Sequence, residues 1–179
     1  VHSSFRQFSL NELDNKDCSD WCNYVKGLIV ELNLRGIKVP AFDAVLYSEL
    51  PLAAGMGSSA ALEISMLLAL LKLCNIELNW LDCAKIAQAC ENNYVGVRTG
   101  LLDQISSLKG EENSLILSDF RSLEIMKIPF PEKYVFAVLD SLVKHNLSKE
   151  YNERRASCEE ALAILQKKRP ELTSLSDVN

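Results

Sequence analysis

The sequence predicts an α+β domain, and three observations carry that reading. Four stretches repeat apolar residues at helical spacing. Four short apolar runs look like strands. The two kinds follow one another without the strict alternation of a doubly wound sheet. Apolar residues make up 48% and charged residues 24% of the 179, which is enough apolar material for one folded core.

The elements follow in chain order. Trp21, Tyr24, Val25, Leu28, Ile29 and Leu32 mark a first helix, and Gly36 is placed to stop it. Phe42–Tyr47 is a short strand candidate. Ala60–Leu73 is apolar nearly all round, so a buried helix is expected. Asn79, with Asp82 three residues on, fits a cap for the helix carrying Ala84, Ala87 and Cys90. Ser114–Leu117, Leu123–Ile128 and Tyr134–Leu139 read as strands. Ser148 is placed to cap a last long helix with Tyr151, Arg155, Cys158, Leu162 and Leu165 on one side, and Pro170 should end it. The tail Leu172–Asn179 has few anchors and is expected to fray.

Composition narrows the function. A net charge of −5 with no basic block argues against a nucleic-acid surface. The longest apolar run, Met66–Leu71, is far too short to span a bilayer. Cys18, Cys22, Cys74, Cys83, Cys90 and Cys158 form no C-x-x-C pair, and His2 and His145 lie far from them in sequence. Zinc spacing is therefore absent, and reduced thiols in a cytoplasmic protein are expected.

Chemistry is advertised in two places. Leu50-Pro-Leu-Ala-Ala-Gly-Met-Gly-Ser-Ser-Ala-Ala61 runs straight into an apolar helix. Its glycines allow a tight turn and a close approach to a ligand. A helix start with free N–H groups and a partial positive charge suits a phosphate. A Walker loop needs a Lys before its Ser, and Gly57 stands there instead. Gly55-x-Gly57-x-x-Ala60, with Glu77 further on, fits a loose dinucleotide fingerprint, but a loop precedes it and a second helix follows it. A simple cap without ligand is the plainer alternative. The second place is Glu91-Asn-Asn-Tyr-Val-Gly-Val-Arg-Thr-Gly-Leu-Leu-Asp-Gln104. It sets one acid at a helix end and another after a glycine-containing turn. Phosphoryl transfer needs one carboxylate to help hold Mg2+ and one to orient or deprotonate the accepting hydroxyl. Glu91 suits the first role and Asp103 the second.

Pro51–Ala61 resembles the ATP loop of the GHMP small-molecule kinases, and the Glu91–Gln104 segment is similar to the corresponding segment of the galactokinase branch. Trp21-Cys-Asn-Tyr-Val-Lys-Gly27, Asp119-Phe-Arg-Ser-Leu-Glu124 and Lys144-His145 followed by Glu150-Tyr151-Asn-Glu-Arg154-Arg155 continue the match, so it spans Trp21 to Leu165 in the family's order. The resemblance implies a GHMP-kinase N-terminal domain with a ribosomal protein S5 domain 2-like fold over 1–128. It implies the start of a ferredoxin-like C-terminal domain over 129–179. It implies ATP and Mg2+ as cofactors, with Gly55, Met56, Gly57, Ser58, Ser59 and Ala60 around the triphosphate and Trp21 near the adenine. Ser58, Ser59 and Glu91 would hold the metal. Asp103 would be the catalytic base on the anomeric hydroxyl of a galactose-type sugar, with Gly100 and Tyr151 beside the sugar. The Asp119–Glu124 match reads as a structural strand segment, and His145 as positional. No obligate protein partner is implied.

Two departures stand out. The family's N-terminal Arg…Gly-Glu-His-x-Asp motif and its late glycine-rich motif have no counterpart here, and the last glycine is Gly110. The chain therefore reads as the middle of a kinase, expected to be incomplete for turnover by itself. Val97-Arg98-Thr99-Gly100 replaces the usual Pro-Cys-Gly. A guanidinium beside the sugar could pair with a carboxylate, so a galacturonate kinase is the alternative, and solvent is the other place Arg98 could point. A non-catalytic sensor of sugar and ATP is a third reading.

Overall fold

The computed structural model describes residues 4–16, 20–51, 54–139 and 147–178. The His2, Cys18, Lys144 and His145 positions lie outside them, as do Leu52 and Ala53 of the glycine loop.

Helix α1 spans Cys22–Leu34. Gly36 stops it as expected: it has φ +79°, its N–H donates to Asn33 O (2.9 Å), and Ile37 N–H reaches back to Leu32 O (3.0 Å). Helix α2 spans Ser58–Leu73, two residues longer at its start than the apolar pattern predicts. It packs against α1, α3 (Trp80–Ala89) and α4 (Leu102–Lys109). Leu68 and Leu73 remain exposed, so α2 is not buried all round as expected. Its neighbours cover one side only. Asn79 caps α3 as the sequence predicts, with Oδ1 accepting from Asp82 N–H at 2.9 Å. The element after α2 is the helix α3 rather than a strand, which removes the dinucleotide reading.

The core is the meeting of α1, α2 and α3. Leu28, Ile29, Leu32, Leu67, Leu70 and Ile86 are all but sealed from solvent. Burying each such side chain contributes about 1.5–3 kcal/mol. Gly27 makes this meeting possible. A Cβ there would lie 2.6 Å from Cys90 Sγ and 3.0 Å from Tyr94 Cβ, so only glycine lets α1 come this close.

β1 (Ser114–Ser118) and β2 (Ile125–Pro129) pair antiparallel, with Ser118 opposite Ile125. The second strand begins later than Leu123, because Leu123 has φ +60° and belongs to the connecting turn. The Asp119–Glu124 motif is therefore a turn rather than a strand segment. Asp119 Oδ1 accepts from Arg121 N–H (2.7 Å), and these backbone donors hold its carboxyl below the usual range.

Phe42–Tyr47 and Tyr134–Leu139 are not strands. Neither segment has a ladder partner among the described residues, and a strand cannot satisfy its backbone alone. Val45 and Leu139 are almost fully exposed. Helix α5 spans Leu147–Gln166 and takes Ser148 into its first turn rather than before it. It stops four residues before Pro170. The tail is tied down rather than frayed. Asp177 Oδ2 accepts from Thr173 N–H, Thr173 Oγ1–H and Ser174 N–H at 2.8–2.9 Å, and Asp177 also pairs with Arg121. Those donors lower the Asp177 carboxyl to about 2. Leu172 is buried, and the tail closes in a short 3-10 turn, Leu175–Asp177. No described helix is long and apolar enough to cross a membrane.

Candidate active site

The site is built where α2 begins, where α3 ends and where α4 begins. Gly55 (φ +69°) and Gly57 (φ +64°) both sit in the left-handed region, so the turn into α2 requires glycine-like backbones. Met56 is exposed at the tip, Ser58 and Ser59 are half-buried in the first turn, and Ala60 is buried against the core. No side chain caps this helix start. Gly57 faces Asp103. A Cβ on Gly57 would stand 3.2 Å from Asp103 Cγ and 3.5 Å from Oδ1. Asp103 lies in the first turn of α4 and is exposed. The two stretches singled out in the sequence thus meet.

After Ala89 the helical path widens into a π-turn, Cys90–Val95. Such widenings often mark functional sites. Each side chain of Glu91-Asn92-Asn93 has its own task. Glu91 is 4% exposed, and its Oε2 accepts from Thr99 Oγ1–H (2.5 Å) and Gln104 Nε2–H (2.9 Å). Asn92 Oδ1 accepts from Thr99 N–H (2.9 Å) and holds the following loop. Asn93 Nδ2–H donates to Glu31 Oε1 (2.9 Å), and Glu31 in turn pairs with Arg35, which ties the turn to α1. Gly96 (φ +89°) and Val97 donate back to Glu91 O at 2.8 and 2.9 Å, closing the turn.

Behind Glu91 lies Glu63, fully buried on α2 beside Cys90 and Gln104. Burial, then the Glu91 charge, pushes its carboxyl up to about 9, so it is neutral at neutral pH. Burial likewise raises the Cys90 thiol, and it raises the Tyr24 hydroxyl to about 12. Cys90 is a packed, unreactive thiol whose S–H reaches Tyr24 O (3.2 Å).

Arg98 is engaged. Its guanidinium makes a two-pronged pair with Glu159 of α5 (Nη1–Oε2 3.0 Å, Nη2–Oε1 2.5 Å). Glu159 also accepts from Arg155 (3.2 Å). Asn152 completes the contact: Oδ1 accepts from Arg98 N–H (3.0 Å) and Nδ2–H donates to Gly96 O (3.1 Å). Tyr151 is the neighbour of Asn152 and is exposed. Gly100 borders a cleft of about 360 Å³, lined also by Gln88, Leu101, Leu102 and Phe120. Trp21 packs on the core, and its indole N–H donates to Ser4 Oγ (3.1 Å).

Sequence reasoning missed Glu63, Gln104 and Asn152. Glu63 left a signal, being the one acid in the apolar helix Ala60–Leu73, which must be paired or neutral if buried. Gln104 and Asn152 left none, because amides are ordinary surface residues.

A family model, the GHMP kinases N terminal domain, matches residues 23–111. The chain belongs to the GHMP kinase family. It is 35% identical over 173 residues to a galactokinase of Chloroflexus aurantiacus, covering 96% of this chain and 44% of that protein. It is 39% identical over 150 residues to a galactokinase of Thermotoga maritima, covering 83% and 43%. The crystal structure of Lactococcus lactis galactokinase complexed with galactose superposes with a TM-score of 0.79 at 32% identity, covering 96% of this chain and 45% of that one. These likenesses put the chain in the galactokinase branch. It spans less than half the length of these relatives.

Proposed function

We propose that the protein carrying this chain is a galactokinase, transferring the γ-phosphoryl group of ATP to the anomeric hydroxyl of galactose. The observation that carries this is the approach of Gly57 to Asp103. It sets a glycine-turned helix start, suited to phosphates, beside an exposed carboxylate suited to a hydroxyl. Asp103 orients or deprotonates the sugar hydroxyl. The loop Gly55–Ala60 cradles the triphosphate, Trp21 serves the adenine, and Gly100 and Tyr151 serve the sugar. Residues 1–128 form the N-terminal kinase domain, and 129–179 begin the second. Galactose and ATP are the partners, with no nucleic acid and no obligate protein, and the cytoplasm is the compartment.

The donor set fits a magnesium ion. Both hydrogen bonds to Glu91 fall on Oε2, which leaves Oε1 for a hard cation, and the Ser58 and Ser59 hydroxyls are hard oxygen donors on the neighbouring helix start. When bound, Mg2+ neutralises charge on the β- and γ-phosphates. Catalysis by the chain's own residues is then mostly positioning and charge stabilisation.

Galacturonate is the weaker substrate reading, because Glu159 already occupies the Arg98 fork that a uronate carboxylate would need. The test is ADP release by the full-length protein with MgATP and either sugar. Release with galactose alone is expected. Release with galacturonate alone overturns the substrate. Nucleotide binding with silence on both sugars favours the sensor.

A further inference from the structure

Three side chains sealed in the interior lie behind the Glu91 carboxylate. Gln104 is 1% exposed, and its Nε2–H donates to Glu91 Oε2 at 2.9 Å. Its other end, Oε1, is sealed and meets no hydrogen-bond donor among the described residues. Glu63 is fully buried with Cys90 and Gln104 as its polar side-chain neighbours, and neither of its sealed oxygens has a partner at good hydrogen-bond geometry. Leaving such atoms unmatched is costly, because they have given up water and gained no partner. One proton resolves two of the mismatches together: a neutral Glu63 carries an O–H, and Gln104 Oε1 is a vacant acceptor. Cys90 also neighbours Glu63, and its S–H reaches Tyr24 O at 3.2 Å.

From this arrangement we infer that Gln104 is a positioning residue for Glu91, backed by Glu63 acting as a neutral hydrogen-bond donor. The order is Glu63 O–H to Gln104 Oε1, then Gln104 N–H to Glu91 Oε2, with Thr99 Oγ1–H on the same oxygen. The two donors pin Oε2 and turn Oε1 outward as the cation-facing oxygen. Gln104 follows Asp103 directly on α4. One turn of helix therefore presents the hydroxyl-facing acid outward and braces the metal-facing acid inward. Hydrogen-bonding partners of metal ligands typically matter 10–100-fold for metal affinity.

The inference rests on the reading of Glu91 as a magnesium ligand, and its test separates the two. Mn2+ affinity is measured by electron paramagnetic resonance on the full-length protein with a non-hydrolysable ATP analogue. Nucleotide affinity in EDTA and thermal midpoint are measured alongside. Gln104→Met keeps the length and loses the hydrogen bonds. Mn2+ affinity falling 10–100-fold, with metal-free nucleotide affinity unchanged, is the expected result. Glu63 gives a second pair that does not depend on Gln104→Met folding. Glu63→Gln keeps a neutral donor and should hold Mn2+ affinity within about threefold, whereas Glu63→Met should lose it as Gln104→Met does. Wild-type Mn2+ affinity in both methionine variants overturns the inference while leaving the metal reading intact. Mn2+ affinity in wild type that survives Glu91→Gln overturns the metal reading and the inference with it.

Discussion

Gly57 and Asp103 stand so close that a single added methyl group on the glycine would press on the carboxylate, at 3.2 Å from Asp103 Cγ. The glycine is also left-handed, at φ +64°. Gly57→Ala therefore meets two penalties, backbone strain of about 1–2 kcal/mol and displacement of Asp103. A modest fall in thermal midpoint with a larger loss of turnover is expected. Equal turnover in the variant would detach the loop from the Asp103 chemistry.

Asp103→Asn keeps the shape and removes the carboxylate proposed as the base. Turnover should fall about 10²–10⁴-fold while nucleotide binding, followed by calorimetry, is retained. Asp103 is exposed, so stability should be nearly unchanged.

Gly27→Ala probes the fold alone. The new Cβ would meet Cys90 Sγ at 2.6 Å and Tyr94 at 3.0 Å, driving α1 from the π-turn. Overpacking of this kind costs about 1–3 kcal/mol. Urea unfolding should show it as a lower midpoint with an unchanged slope.

Glu63 gives stability a pH dependence. Its folded value, about 9, lies above the ordinary 4.5, so the native state holds the proton more tightly. Its contribution is fully present below about 4.5 and is lost as pH rises through about 9. The slope is at most about 1.4 kcal/mol per pH unit for one proton. Thermal midpoints across pH 5–9 without divalent metal should fall in wild type and fall less in Glu63→Gln. Parallel curves would mean Glu63 does not titrate in this range.

The Arg98–Glu159 pair is open to solvent, and such pairs add little to stability. Glu159→Ala should leave the thermal midpoint within a degree or two and free the Arg98 fork. Turnover with galactose should persist. Any activity gained toward galacturonate would appear in this variant and vanish in the Arg98→Ala double variant.

Where a feature depends on neighbours along the chain, the residues announce it. Leu28 with Leu32, Asn79 with Asp82, Gly36 after Leu34, and the glycines before Ser58 all act within a helical turn or two, so α1, α2 and α3 were legible. Tyr134–Leu139 and Phe42–Tyr47 carry the residue pattern of strands, yet a strand needs a partner's hydrogen bonds, and pattern alone does not supply one. The fate of Arg98 was equally closed to sequence reading, because its partner Glu159 lies on α5, far along the chain. So was the alignment of Glu63, Gln104 and Glu91, three residues from three different elements. The sequence is sufficient for the glycine turn before an apolar helix and for the two acids that carry the proposed chemistry, since those patterns are local. Only packing decides which acid is neutral, which is braced and which faces outward, because burial and charge proximity are properties of assembled helices and not of any one of them.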